Sequence, residues 1–229
     1  MGIEYVLRLT KVVKEIGISV CRQVIISVKM GSKETVCVTG ASGFIGSWVV
    51  RLLLERGYSV QGTVQDLGNE KETKHLEAME GAKERLKLFQ IDLLDYGSIE
   101  AAIDGSVGVF HLVSPCIVDE DKKPQAQFLD PAIKGTMNVL QAVQKAKVKR
   151  VVLTSSISAI TPSPNWPADV PKDENRWADL DYCRENGIWY PASKTLGFHH
   201  EVTGLCTVWE GIKWFRCNIC NTSWCGSVH

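Results

Sequence analysis

The chain has 229 residues and a formal net charge of zero, with 26 Lys and Arg against 26 Asp and Glu. That balance excludes an electrostatic basis for binding nucleic acid or an anionic membrane, and the length suits one domain, or one domain and part of a second. Hydrophobic residues make up 45% and charged residues 23%, an ordinary globular composition.

No apolar run reaches the length of about eighteen residues that a membrane helix needs. Near the N-terminus, Glu4, Lys11, Lys14 and Glu15 interrupt what a secretory signal would keep apolar. The eight cysteines therefore read as reduced thiols in a cytoplasmic protein, not as a disulfide framework. Residues 1–29 carry no turn signals and read as an extension to a domain that begins at Met30.

From Met30 the chain alternates. Thr35–Thr39 is a short β-branched run and predicts a buried strand. Ile45–Glu55 has helical periodicity and stops near Gly57. Tyr58–Val64 predicts a second strand, Lys71–Glu80 a charged helix and Leu86–Ile91 a third strand. A helix near Ser98–Ile103, a strand over Val107–Val113, a helix from about Gln125 to Lys145 and a strand at Val151–Ser155 follow. Such alternation means βαβ units, hence a doubly wound Rossmann α/β fold with a parallel sheet and right-handed crossovers. Residues 161–187 are rich in Pro, Trp, Asp and Asn and read as a long surface loop, a feature that usually carries function.

Between the first strand and first helix lies Thr39-Gly40-Ala41-Ser42-Gly43-Phe44-Ile45-Gly46. Gly40 allows a sharp turn off the strand, Gly43 lets backbone approach a pyrophosphate, and Gly46 lets the helix pack on the sheet. The helix start then aims free N–H groups at phosphate. A bare glycine pattern is weak, but the strand–turn–helix context in the first βαβ unit makes it a dinucleotide site. An acid after the second strand binds the ribose 2′-hydroxyl, and an arginine accepts a 2′-phosphate. This chain has Gln65 and Asp66 there, so NAD and NADP both remain open.

Tyr190-Pro-Ala-Ser-Lys194 puts a tyrosine and a lysine on one helix face. The ammonium favours the phenolate, which suits acid–base work. Leu153-Thr154-Ser155-Ser156 ends a strand where parallel sheets bind ligands, so a serine there can polarise a carbonyl.

These stretches resemble the extended short-chain dehydrogenase/reductase family, within it the plant cinnamoyl-CoA reductase, phenylacetaldehyde reductase and dihydroflavonol reductase group. The resemblance runs from Met30 to about Leu196 and rests on VCVTGASGFIGSWVVRLLLERGY, QIDLLD, GVFHLVSPC, GTMNVL, KRVVLTSSISAI and NWPADVPKDENRWADLDYC, ending in WYPASKTL. It implies reduction of an aldehyde, ketone or acyl thioester with NADPH, NAD being possible. Ser156 would polarise the substrate, Tyr190 act as general acid and Lys194 as its partner, and both Tyr190 and Lys194 would also contact the dinucleotide. Gly40, Ser42, Gly43, Phe44, Ile45 and Gly46 would hold pyrophosphate, Gln65 and Lys71 the 2′ end, Asp92 and Leu93 the adenine, and Leu112, Val113 and Ser114 the nicotinamide side.

The chain departs from the family pattern in several places. Gln65 stands where the family commonly has arginine, and Lys71-Glu72 where it often has two lysines. Gly187-Ile188-Trp189-Tyr190-Pro191 differs from the Asn-Trp-Tyr-Cys-Tyr-Ala-Lys pattern of cinnamoyl-CoA reductases themselves. After Leu196 the resemblance stops, where the family adds a sixth strand and a substrate domain. Residues 197–229 show no clean period and read as a tail outside the fold, of the kind that out-of-frame or intron translation produces. Cys217-x-x-Cys220, Cys225 and His229 are zinc-ligand types, but a lone CxxC without finger spacing predicts no metal. Two functions follow: a reductase, or a dinucleotide-binding fragment without activity because nothing encloses a substrate.

Overall fold

A computed structural model describes residues 34–113, 129–167, 170, 177–196 and 213–219. Six strands form one sheet in the order β3-β2-β1-β4-β5-β6. They are β1 (Thr35–Thr39), β2 (Ser59–Val64), β3 (Leu86–Gln90), β4 (Gly108–His111), β5 (Arg150–Ser156) and β6 (Lys213–Ile219), and every neighbouring pair is parallel. Helices α1 (Phe44–Glu55), α2 (Glu70–Glu77), α3 (Ala82–Arg85), α4 (Tyr96–Ile103), α5 (Asp130–Lys145) and α6 (Leu180–Glu185), with α7 over residues 189–196, complete the described fold.

Period-two alternation along the strands supplies a core on each side of the sheet. Val36 and Val38 join Val49, Val50, Leu53 and Leu54 of α1, together with Val60, Phe110 and Val152. Cys37, Val109 and Val151 point the other way, onto Ile99 and Ile103 of α4 and Val139, Leu140 and Val143 of α5. Coverage of both faces explains why the inner strands read as continuous apolar runs. The strand order reverses between β1 and β4, and the crevice outside their carboxyl ends is where this architecture binds ligands.

The parallel Rossmann fold expected from the alternation is present, with three local differences. The fourth strand ends at His111, short of the expected Val113. There the amides of Leu112 and Val113 donate to the Thr39 side chain and leave the sheet. The expected loop over 161–187 contains α6, whose N-terminus is capped by Asp179 and whose Cys183 is buried. Residues 213–219 lie in the tail read as outside the fold, yet they form β6, paired with β5 from Arg150↔Lys213 to Ser156↔Ile219. That corrects the expectation for this stretch. A ladder recruits backbone groups along an open edge and needs no hydrophobic period, and Trp, Phe and Ile favour extended chain. Among the described residues no helix is long and apolar enough to cross a membrane.

Cys37 is fully buried, and burial pushes its thiol up to about 12. We predict that Cys37 resists alkylation by a maleimide in the native chain and reacts once urea unfolds it, as read by peptide mass spectrometry. Modification in the native state at the rate of a free thiol would contradict this placement.

Candidate dinucleotide and catalytic site

The turn after β1 shows why its glycines differ. Gly40 has φ +70°, and a Cβ there would lie 3.1 Å from the Val113 side chain. Its amide donates to Thr63 Oγ1 (3.1 Å), and the Ala41 amide donates to the Thr63 carbonyl (2.9 Å), so β2 anchors the turn. A Cβ on Gly46 would sit 2.0 Å from the Gly40 carbonyl oxygen, so α1 touches the turn with no room for a side chain. Gly43 is different: among the described residues a Cβ there would meet only that oxygen, at an ordinary 3.4 Å. The protein itself does not require glycine at 43, and the open space beside it fits a phosphate approaching backbone.

Helix starts make the same point. Asn69, Asp95 and Asp179 cap α2, α4 and α6 with side-chain oxygens, whereas α1, like α3 and α5, has no side-chain cap, and α1 also has no acid in its first turn. An uncapped helix start leaves amide donors and a partial positive charge for an anion. Ser42, Phe44 and Ile45 are half-buried around it, Ile45 packing on the core. The residues present therefore fit a dinucleotide pyrophosphate.

Along the crevice, Thr39 Oγ1 lies 2.9 Å from His111 Nδ1 and accepts from Leu112 N (3.1 Å) and Val113 N (3.5 Å). With both lone pairs engaged, the hydroxyl donates to Nδ1, which places the imidazole proton on Nε2. Burial, and secondarily the charge of Lys194, push His111 down to about 3, so the ring is neutral. Thr154 Oγ1 donates to the His111 carbonyl (3.2 Å). One polar network thus ties together the carboxyl ends of β1, β4 and β5. Leu112 packs on the core and Val113 abuts Gly40, beside the switch point. Ser114 lies outside the described residues.

Ser156 is buried and its Oγ accepts from Ser158 N (3.1 Å), which orients the oxygen and leaves the hydroxyl proton to donate elsewhere. The neighbouring Ser155 Oγ is buried with no hydrogen-bond partner among the described residues. A buried unsatisfied hydroxyl at a strand's carboxyl end is costly unless a ligand or water meets it. Tyr190 and Lys194 share a face of α7, with Lys194 Nζ 5.5 Å from the Tyr190 ring centroid. The Ala159 carbonyl accepts from both Thr195 Oγ1 (3.2 Å) and Ala178 N (2.8 Å), fastening α7 and the segment before α6 to the turn that follows Ser156.

At the far end of the crevice, Gln65 follows β2 and is exposed. Its amide donates to Glu72 Oε2 (2.9 Å), and Asn69 Nδ2 donates to Glu72 Oε1 (3.1 Å). Lys71 is exposed, its amide donating to the Asn69 cap. Asp92 Oδ1 accepts from Leu94 N, while Leu93 tucks against α5, its carbonyl accepting from Asn138 Nδ2 (2.8 Å). A Cβ on Gly135 would come within 2.9 Å of Leu93 Cβ, so α5 presses on this loop. Among the described residues no His, Cys, Asp and Glu group could hold a metal. Cys220, Cys225 and His229 lie outside them, and the Cys217 side chain does too.

Sequence reasoning missed His111 and Asn138 as parts of this site, and it named Thr39 in the turn and Glu72 at the 2′ end without the partners that fix them. A lone His inside the apolar VGVFHLV run was the available signal, since a buried imidazole needs a partner.

Two predictions follow from this geometry. Gly46→Ala should lower stability by about 1–3 kcal/mol or more through overpacking, while Gly43→Ala should leave the urea midpoint nearly unchanged and weaken dinucleotide binding. Equal destabilisation by the two would contradict the distinction. His111 is neutral when folded but takes a proton near 6.5 when unfolded. Because its folded value is depressed, the unfolded state binds the extra proton, and stability should fall as pH drops from about 6.5 toward about 3. Comparing urea midpoints across that range, His111→Asn should show a shallower slope than the parent. An identical slope would refute the neutral assignment.

The profile of the NAD dependent epimerase/dehydratase family matches residues 36–199. A cinnamoyl-CoA reductase of Medicago truncatula is 51% identical over 166 residues, covering 71% of this chain and 50% of that protein. The crystal structure of vestitone reductase from alfalfa (Medicago sativa) superposes with TM-score 0.65 at 36% identity, covering 80% of this chain and 56% of that one. Gre2 of Candida albicans, solved in complex with NADPH, gives TM-score 0.68 at 26% identity, covering 81% and 56%. The chain thus spans about half the length of the relatives it matches. With its glycine turn, its Ser156, Tyr190 and Lys194 and a family match over most of its length, this protein belongs to the NAD dependent epimerase/dehydratase family.

Proposed function

We propose that this protein is an NAD(P)H-dependent carbonyl reductase acting on an aldehyde, ketone or acyl thioester of phenylpropanoid type. The observation that supports the reading is that the glycine turn follows β1, Ser156 ends β5, and α7, which bears Tyr190 and Lys194, is fastened through Thr195 to Ala159 just after β5. The names of the similar proteins, cinnamoyl-CoA reductase and vestitone reductase, support the reaction class.

When bound, the dinucleotide supplies a hydride to the carbonyl carbon. The chain's own residues do the rest. Ser156, held by the Ser158 amide, donates a hydrogen bond to the carbonyl oxygen and draws charge onto it. Tyr190 donates its hydroxyl proton to that oxygen, and the Lys194 ammonium steadies the phenolate left behind. Thr39, its hydroxyl locked to the neutral His111, accepts from the amides of Leu112 and Val113 and holds them in place at the nicotinamide side. Two free, buried cysteines, Cys37 and Cys183, support a reducing, cytosolic setting.

The test is oxidation of reduced dinucleotide with cinnamaldehyde, phenylacetaldehyde and cinnamoyl-CoA, alongside calorimetric dinucleotide binding. Tyr190→Phe should lower kcat by about 10²–10⁴ and change dinucleotide affinity far less. Turnover indifferent to Tyr190→Phe would contradict the mechanism. Tight binding with no turnover on any substrate would favour the second reading, a dinucleotide-binding unit without reductase activity.

A further inference from the structure

Resting on the dinucleotide site proposed above, we infer that Glu72 makes this site select NADH and discriminate against the 2′-phosphate of NADPH. In this fold the first residue past the second strand marks where the adenosine ribose is recognised, with an acid taking the 2′-hydroxyl and a cation taking a 2′-phosphate. Here that residue is Gln65, and its exposed side chain carries no charge. The Glu72 carboxylate is held at this point by two donors, the Gln65 amide at 2.9 Å and Asn69 Nδ2 at 3.1 Å. Glu72 is therefore half-buried and fixed, from one turn into α2, against the end of β2.

The charges nearby reinforce that assignment. Lys74 pairs with Glu70 at 2.5 Å and is drawn along the outer side of α2. Asp66, beside Gln65, turns its carboxylate to the Gly68 amide (2.8 Å). Lys71 is the remaining cation of the first turn, and it is exposed. A phosphate placed here carries close to two negative charges. It would meet a fixed carboxylate whose two donors are already used, and one exposed ammonium would have to offset both. A ribose hydroxyl, by contrast, donates to a carboxylate. The substitution of charge is thus a specificity element within the cofactor site.

The test uses the full chain and titration calorimetry with NADH and NADPH at low and high salt. NADH should bind about tenfold or more tightly than NADPH, the factor that a like charge a few ångströms away imposes at a partly exposed site. Raising salt should narrow the gap by screening that repulsion. Glu72→Gln keeps an amide oxygen to accept the Gln65 N–H but loses the charge that the ribose hydroxyl meets, so it should weaken NADH a few-fold while improving NADPH about fivefold or more. Adding cations in the Gln65→Arg, Glu72→Lys pair should reverse the preference. Tighter binding of NADPH by the parent chain, or an unchanged ratio in Glu72→Gln, would overturn the inference. Failure to bind either dinucleotide would overturn the proposed site itself along with it.

Discussion

The absence of room between Gly46 and the Gly40 carbonyl governs this structure. A methyl group at Gly46 would come within 2.0 Å of that oxygen, so α1 starts pressed against the turn that leaves β1. This contact sets the angle of α1 on the sheet. It brings Val49, Val50, Leu53 and Leu54 down onto Val36, Val38 and Val60, and the same contact aims the uncapped helix start into the crevice. Packing and anion recognition are therefore one geometric decision. A substitution that relaxes the first loses the second.

A second layer of order sits at the strand ends. The sheet's carboxyl edge would expose hydroxyls, an imidazole and turning backbone in one place, which is expensive unless they satisfy one another. Thr39, His111, Leu112, Val113 and Thr154 do so in a closed network. Ser155 does not, and its buried hydroxyl marks the edge where the fold stops serving itself. Beyond it, Ala159 clamps α7 by way of Thr195, so the Tyr190–Lys194 face is positioned by β5 and not by a free loop. Rigid elements thus hold groups that come from distant parts of the chain.

Much of this was legible in the sequence because it follows from local rules. Buried strands and amphipathic helices announce themselves by period, and β1 lies at Thr35–Thr39 as read. The glycine turn could be read because a strand precedes it and a helix follows. What escaped the reading is what depends on partners far away in sequence. Thr39 and His111 meet across 72 positions, and no local pattern signals that one hydroxyl would order both β4 and the amides after it. Glu72 could be read as a departure from the family's lysine pair, but no local pattern shows that the Gln65 backbone N–H, seven residues earlier, holds its carboxylate. β6 escaped because its place depends on the open edge of β5, which no period within residues 213–219 encodes. The short α6 was hidden in a stretch rich in loop formers, where a cap at Asp179 and the burial of Cys183 decide the outcome.

The central claim is that a dinucleotide occupies the crevice between β1 and β4, with its pyrophosphate at the start of α1. Amide hydrogen exchange with and without NADH measures this directly, one backbone segment at a time. The account predicts that NADH slows exchange at residues 40–47 and at Leu112 and Val113, and leaves the far ends of the strands, such as Thr35 and Ser59, unchanged. Binding that leaves residues 40–47 unprotected, or that protects only a surface elsewhere, would contradict it.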